Sequence, residues 1–197
     1  KEAGEALFTQ EGPLAVYDLG EVTFTLTQVV DDRRSIYVAA RAEPKSGSDV
    51  VIVQDSYDGN PSSPYSREGY WALAKESGKP VVAVALTLTS PTFRGTMSFE
   101  QMRDGSLELA GFFQDQQEGT VSESTTLLLS AVTFNYDEKP VFSYQSAQWS
   151  GQPKVYEPRI KEIRINQKID NMPVTLETLR LRLTPVSLYY DITYRLS

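Results

Sequence analysis

Four aromatic residues in one Gly/Pro/Ser-rich stretch are the part of this 197-residue chain best equipped for recognition. Between Asp55 and Trp71 the sequence places Tyr57, Tyr65, Tyr70 and Trp71 among Gly59, Pro61, Pro64 and Gly69, with Arg67 and Glu68 as polar handles. Long loops of this composition are often functional, and aromatic rings stack on sugars or anchor peptides at low conformational cost. The competing role for the same rings is structural, with Tyr70 and Trp71 folding back to close the open end of a sandwich. Tyr57, Tyr65, Tyr70 and Trp71 are therefore the candidate ligand- or partner-binding residues.

Catalysis has a thinner basis. With no His and no Cys, the chain lacks a Ser-His-Asp or Cys-His nucleophile, a thiolate and any metal site built on imidazole or sulfur. Its 26 acidic residues leave calcium binding and carboxylate-pair hydrolysis to consider. Counted from Asp55 as a calcium loop, positions 3 and 5 are Tyr57 and Gly59 instead of oxygen ligands, and Asp58-Gly59-Asn60 reads more simply as a turn. Glu68, Glu76, Glu100 and Glu108 are available for a glycosidase pair, but nothing in the sequence sets two of them across a cleft. The expectation is a non-enzymatic protein with no catalytic residues, no metal and no cofactor.

The elements that must position these residues are short strands. Val22, Phe24 and Leu26 alternate with Thr23, Thr25 and Thr27, and Ile36, Val38, Ala40 and Ala42 alternate with Tyr37, Arg41 and Glu43. This is the period of strands with one buried face, and the polar Asp31-Asp32-Arg33-Arg34 between them makes the pair a hairpin. Further strands are expected over 50–54, 81–89, 106–113, 126–136, 141–146, 160–166, 174–184 and 187–196, with prolines at their edges. The serious helix candidate is Arg67 to Ser77, capped by Ser66 and Gly78, although Gly69 and the Tyr70-Trp71 pair suit a strand as well. Ten short strands predict an all-β, immunoglobulin-like antiparallel β-sandwich.

The expected division is a sandwich over 14–148 and a C-terminal β unit over 149–197, which either adds strands or forms a shortened second sandwich. Two hairpins share a form: Val22 reaches Ser35-Ile36-Tyr37 after thirteen positions, and Val174 reaches Ser187-Leu188-Tyr189 after thirteen. If they are equivalent, Ile36 and Leu188 point into cores. The halves differ in charge, with residues 1–150 carrying net −10 and residues 151–197 net +3, for −7 in all. The acidic total argues against a general nucleic-acid partner. Basic positions such as Arg180 and Arg182 read as the solvated face of a strand, or as a patch for an acidic wall polymer or lipid head groups. Lys161, Arg164 and Lys168 interleave with Ile160, Ile163, Ile165 and Ile169, a spacing read as core plus solvent ahead of a membrane-surface helix. No apolar run spans a bilayer, and Lys1-Glu2-Ala3-Gly4-Glu5 reads as the start of a trimmed or mature fragment.

Val22 to Pro44, Val81 to Thr89, Asp104 to Leu109 and Val174 to Tyr194 together resemble uncharacterised extracytoplasmic domains of Gram-positive anti-sigma-factor-like or envelope-sensor membrane proteins. That resemblance implies an immunoglobulin-like fold, an outward-facing location and a membrane tether absent from this chain; it assigns no site residues. The expected function is sensing, binding or scaffolding at the cell envelope, with a cell-wall glycan, a peptide or another envelope protein as partner. The alternatives are a carboxylate-dependent glycoside hydrolase and a passive structural spacer.

Overall fold

Alternation in β2 (Val22–Asp31) and β3 (Ser35–Pro44) sets the architecture, because Val22, Phe24, Leu26, Ile36, Val38 and Ala42 all face one side and are fully buried. The computed structural model describes residues 12–55, 66–90, 92–115, 124–136 and 139–196. In the first sheet, β1 (Ala15–Leu19), β2, β3, β7 (Leu107–Asp115) and β6 (Phe93–Gln101) lie in that order, each antiparallel to its neighbour. The second sheet runs β4 (Val51–Gln54), β5 (Val81–Leu88), β8 (Thr125–Tyr136) and β9 (Pro140–Gly151), antiparallel except for the parallel β4–β5 pair. Helix α1 (Arg67–Ser77) lies between those two parallel strands in sequence.

The two sheets pack face to face over one apolar cluster. Phe24, Leu26, Val38 and Leu109 of the first sheet meet Ile52, Val82, Val84, Leu127 and Leu129 of the second. Each such side chain contributes roughly 1.5–3 kcal/mol by leaving water. The architecture is thus the all-β antiparallel sandwich expected from the sequence. Its second sheet is covered on both faces at β5 and part of β8: α1 lays Tyr70 and Ala74 on Val81, Ala83 and Phe134 on the side away from the first sheet. That explains why β5 reads Val-Val-Ala-Val-Ala-Leu without alternation, a strand buried on both sides.

Residue 149 falls inside β9, which completes the second sheet, and β10 (Lys154–Val155) then runs parallel to the end of β2. Only from Arg159 does a third sheet form, from β11 (Arg159–Lys168), β12 (Val174–Leu183) and β13 (Leu188–Leu196) in antiparallel order. Two expectations fail here. Ile36 is buried but Leu188 is 61% exposed, so the two thirteen-residue hairpins are not equivalent. Ile163 on β11 is also exposed, because among the described residues no opposing layer covers its face of this three-stranded sheet, and Ile160, on the other face beside Arg182, is exposed as well.

Polar contacts join the third sheet to the sandwich at the β2–β3 turn. Asp32 Oδ1 accepts from the backbone N–H of Arg34 (3.1 Å) and Ser35 (2.7 Å), while Oδ2 accepts from the Ser187 hydroxyl. Ser35 and Tyr189 share a hydroxyl–hydroxyl bond, and the Arg34 guanidinium lies 5.5 Å from the Tyr189 ring centre. Arg33 adopts a left-handed φ of 72° and binds Glu157 at 2.7 Å. Arg182 Nε stands 3.7 Å from Asp191, and both Arg180 and Arg182 are half-buried on the face that carries Tyr189, so their expected solvated face is only partly solvated.

Candidate functional site

The helix that carries Tyr70 and Trp71 forms because its ends are provided for locally. Ser66 sits in extended conformation as N-cap, its Oγ accepting from Gly69 N at 3.0 Å. Glu68 complements the positive end and Lys75 the negative end, and Gly78 stops the helix at a left-handed φ of 65°. These caps outweigh the modest helix preference of Gly69, Tyr70 and Trp71, so this aromatic pair lies on a helix and not on a strand.

α1 covers β5 and part of β8 but leaves β9 open, and a cleft of about 260 Å³ lies between them. Among the described residues its walls are Tyr70, Val132, Phe134, Phe142 and Tyr144, with Asp55 and Arg67 as its polar members. The register explains the convergence, since Phe142 pairs with Phe134 and Tyr144 with Val132 and all four point to the helix side. The rings form one connected group. Phe134 lies 5.0 Å from Tyr70, 5.8 Å edge-on from Trp71 and 6.4 Å from Phe142, and the Arg67 guanidinium stands 5.1 Å from the Phe142 ring centre.

The four sequence candidates fare differently. Tyr70 is buried, and its hydroxyl donates to Gln54 O at 3.0 Å, so it forms the floor of the cleft and holds the end of β4. Trp71 is half-buried beside the cleft, its indole N–H directed at Val141 O at 3.3 Å. Tyr57 and Tyr65 lie outside the described residues. Phe142, Tyr144 and Phe134 were not anticipated from sequence. Phe142 is 47% and Tyr144 57% exposed, and the signal that could have found them is the alternation of two aromatics on a strand directly after Pro140.

The cleft offers stacking area, one cation and one carboxylate. Its volume falls just below the roughly 300–1,000 Å³ of drug-sized sites, which suits one ring or one side chain of a longer ligand. Among the described residues no three acidic groups converge as a cation site requires.

A second cleft of about 450 Å³ on the first sheet includes Glu100 and Glu108, two of the four glutamates available for a glycosidase pair, together with Tyr37 and Arg41. Glu100 and Glu108 are register partners on β6 and β7, so their side chains rise side by side from one face. Arg41 pairs with Glu108 (3.8 Å), Glu43 (3.1 Å) and Asp104 (2.6 Å). Asp104 is held below the usual carboxylate range by the hydroxyl and backbone N–H of Ser106, with Arg41 adding to the effect. Glu68 and Glu76 stand exposed on α1, away from this pair.

No helix among the described residues is long and apolar enough to cross a membrane. No family model matches the chain, and no curated protein matches it. A crystal structure of a conserved domain protein from Bacillus anthracis is similar over 100% of this chain at 10% identity, with a TM-score of 0.44. The chain spans 63% of that protein's length.

Proposed function

We propose that this chain is a non-enzymatic binding module of the bacterial cell envelope, facing outward, that takes a single ring or side chain of a glycan or peptide into the cleft beside α1. The observation that carries the reading is the set of exposed rings, Phe142 and Tyr144, standing over a floor of Tyr70 and Phe134 with Arg67 alongside. Such an arrangement binds the flat apolar face of a sugar or an aliphatic side chain, and the guanidinium adds a donor for a ligand oxygen. The envelope location and the tether rest on the resemblance of the strand-and-turn segments to extracytoplasmic sensor domains.

Trp71 provides the test, because it packs edge-on against Phe134 and lies 6.4 Å from Phe142. Titrating soluble peptidoglycan fragments and their stem peptides into the protein should change its tryptophan fluorescence saturably, and Trp71→Phe should abolish that change while binding persists by calorimetry. Heat-silent titrations with every fragment would remove the proposal.

A further inference from the structure

The third sheet has two unlike faces. Rows across its strands read Lys161–Leu181–Tyr190 and Ile163–Leu179–Ile192 on one face, and Glu162–Arg180–Asp191 on the other. The polar face meets the β2–β3 turn through Tyr189 and Asp191. The apolar face lies outside both apolar clusters, and Leu183, Leu188, Tyr190, Ile192, Tyr194 and Leu196 are 47 to 70% exposed on it.

These side chains leave on the order of 800 Å² open, more than the roughly 300–600 Å² of the largest apolar patch on an ordinary monomer. The same area matches the roughly 800 Å² that each partner contributes to a standard interface. A sheet with one apolar face is half of a sandwich, and what completes it must present a matching flat apolar layer.

We propose that the missing layer is the same face of a second copy of this chain. Its self-complementarity follows from the rows. A two-fold axis along β12 turns β11 of one copy onto β13 of the other, setting Ile163 against Ile192 and the Lys161 ammonium over the ring of Tyr190. The other in-plane axis sets β11 on β11, and where it crosses near Arg159 and Lys161 it brings these like charges together. Charge therefore favours the first axis, and the Leu179–Leu181–Leu183 ridge of β12 packs at its centre.

Sedimentation velocity of the full chain from low to high micromolar concentration decides it. The wild type should sediment as a dimer that dissociates on dilution. Ile192→Lys and Tyr190→Lys, which bury an unpaired charge in the interface, should each weaken the dimer about a hundredfold or more. Thr193→Lys, on the opposite face of β13, should remain dimeric. Far-ultraviolet circular dichroism identifies any variant that has lost its fold, and Lys161→Glu, a rim change, should still weaken the dimer several-fold. A wild type that is monomeric throughout overturns the proposal, as does equal dimerisation of Ile192→Lys and Thr193→Lys. A monomer that pellets with phosphatidylglycerol vesicles would instead make this a lipid-binding face.

Discussion

Ser187 donates its hydroxyl to Asp32 Oδ2, a carboxylate whose other oxygen already receives the N–H groups of Arg34 and Ser35. One buried carboxylate thus ends the β2–β3 hairpin and ties the third sheet to the sandwich.

Asp32→Ala should therefore cost about 1–3 kcal/mol, the penalty for leaving buried donors without an acceptor. Asp32→Asn keeps an oxygen for the two N–H groups and should lose less, as should Ser187→Ala, which removes only the link to the third sheet. Urea unfolding of the three variants gives the ranking, and an Ala variant as stable as wild type would contradict the role assigned to this residue.

Neighbouring Asp31 is pushed above its usual 3.8, mainly because burial penalises its charge, against the opposing bond from Arg33 N. A raised folded-state value means that its stabilising contribution is present below pH 3.8 and is lost as pH rises through the folded value. Asp31→Asn keeps the acceptor for Arg33 and carries no charge. It should raise the melting temperature at pH 7 and match wild type near pH 3; a lower melting temperature at pH 7 would contradict this account.

Removing the α1 caps should loosen the cleft floor. Ser66→Ala should cost about 1 kcal/mol, and Gly78→Ala about 1–2 kcal/mol, since a Cβ at Gly78 meets nothing within 4 Å and the whole cost is its left-handed backbone. Gly78→Asn, which tolerates that conformation, should recover part of the loss in thermal unfolding.

Gly95 is needed for the opposite reason. Its backbone angle is ordinary, but a Cβ there would collide with the carbonyl oxygen of Phe112 across the β6–β7 pair. Gly95→Ala should destabilise by about 1–3 kcal/mol, and hydrogen exchange should show the loss concentrated in β6; unchanged protection there would show that the edge strand shifts freely.

The sandwich was legible because β2, β3, β7 and β8 alternate in burial over most of their length, although β8 carries Leu127-Leu128-Leu129 and the alternation of β2 ends at the register shift after Leu26. β6 was not anticipated: Gly95 interrupts its apolar series and most of its side chains face solvent. β1, only five residues long with Val16 exposed, offered too short a pattern. α1 was legible in its caps, Ser66 and Gly78, more than in its interior. Part of the cleft was legible, through Asp55, Arg67 and Tyr70, with Trp71 beside it. Phe142 and Tyr144 were not, because their approach to the helix depends on the β8–β9 register, which no local pattern encodes. Leu188 misled because alternation shows that a strand has an apolar face without showing that anything covers it.

The most direct measurement is the affinity of wild type and Tyr144→Ala for the tightest-binding peptidoglycan fragment or stem peptide, by titration calorimetry. Tyr144 is 57% exposed at the cleft wall, so its removal should leave folding intact. Truncating a ring that anchors the ligand should weaken binding by about 2 kcal/mol or more, roughly thirtyfold. Tyr37→Ala, in the other cleft, should bind as wild type does. Equal affinities for wild type and Tyr144→Ala, or loss confined to Tyr37→Ala, would contradict the placement of the binding site beside α1.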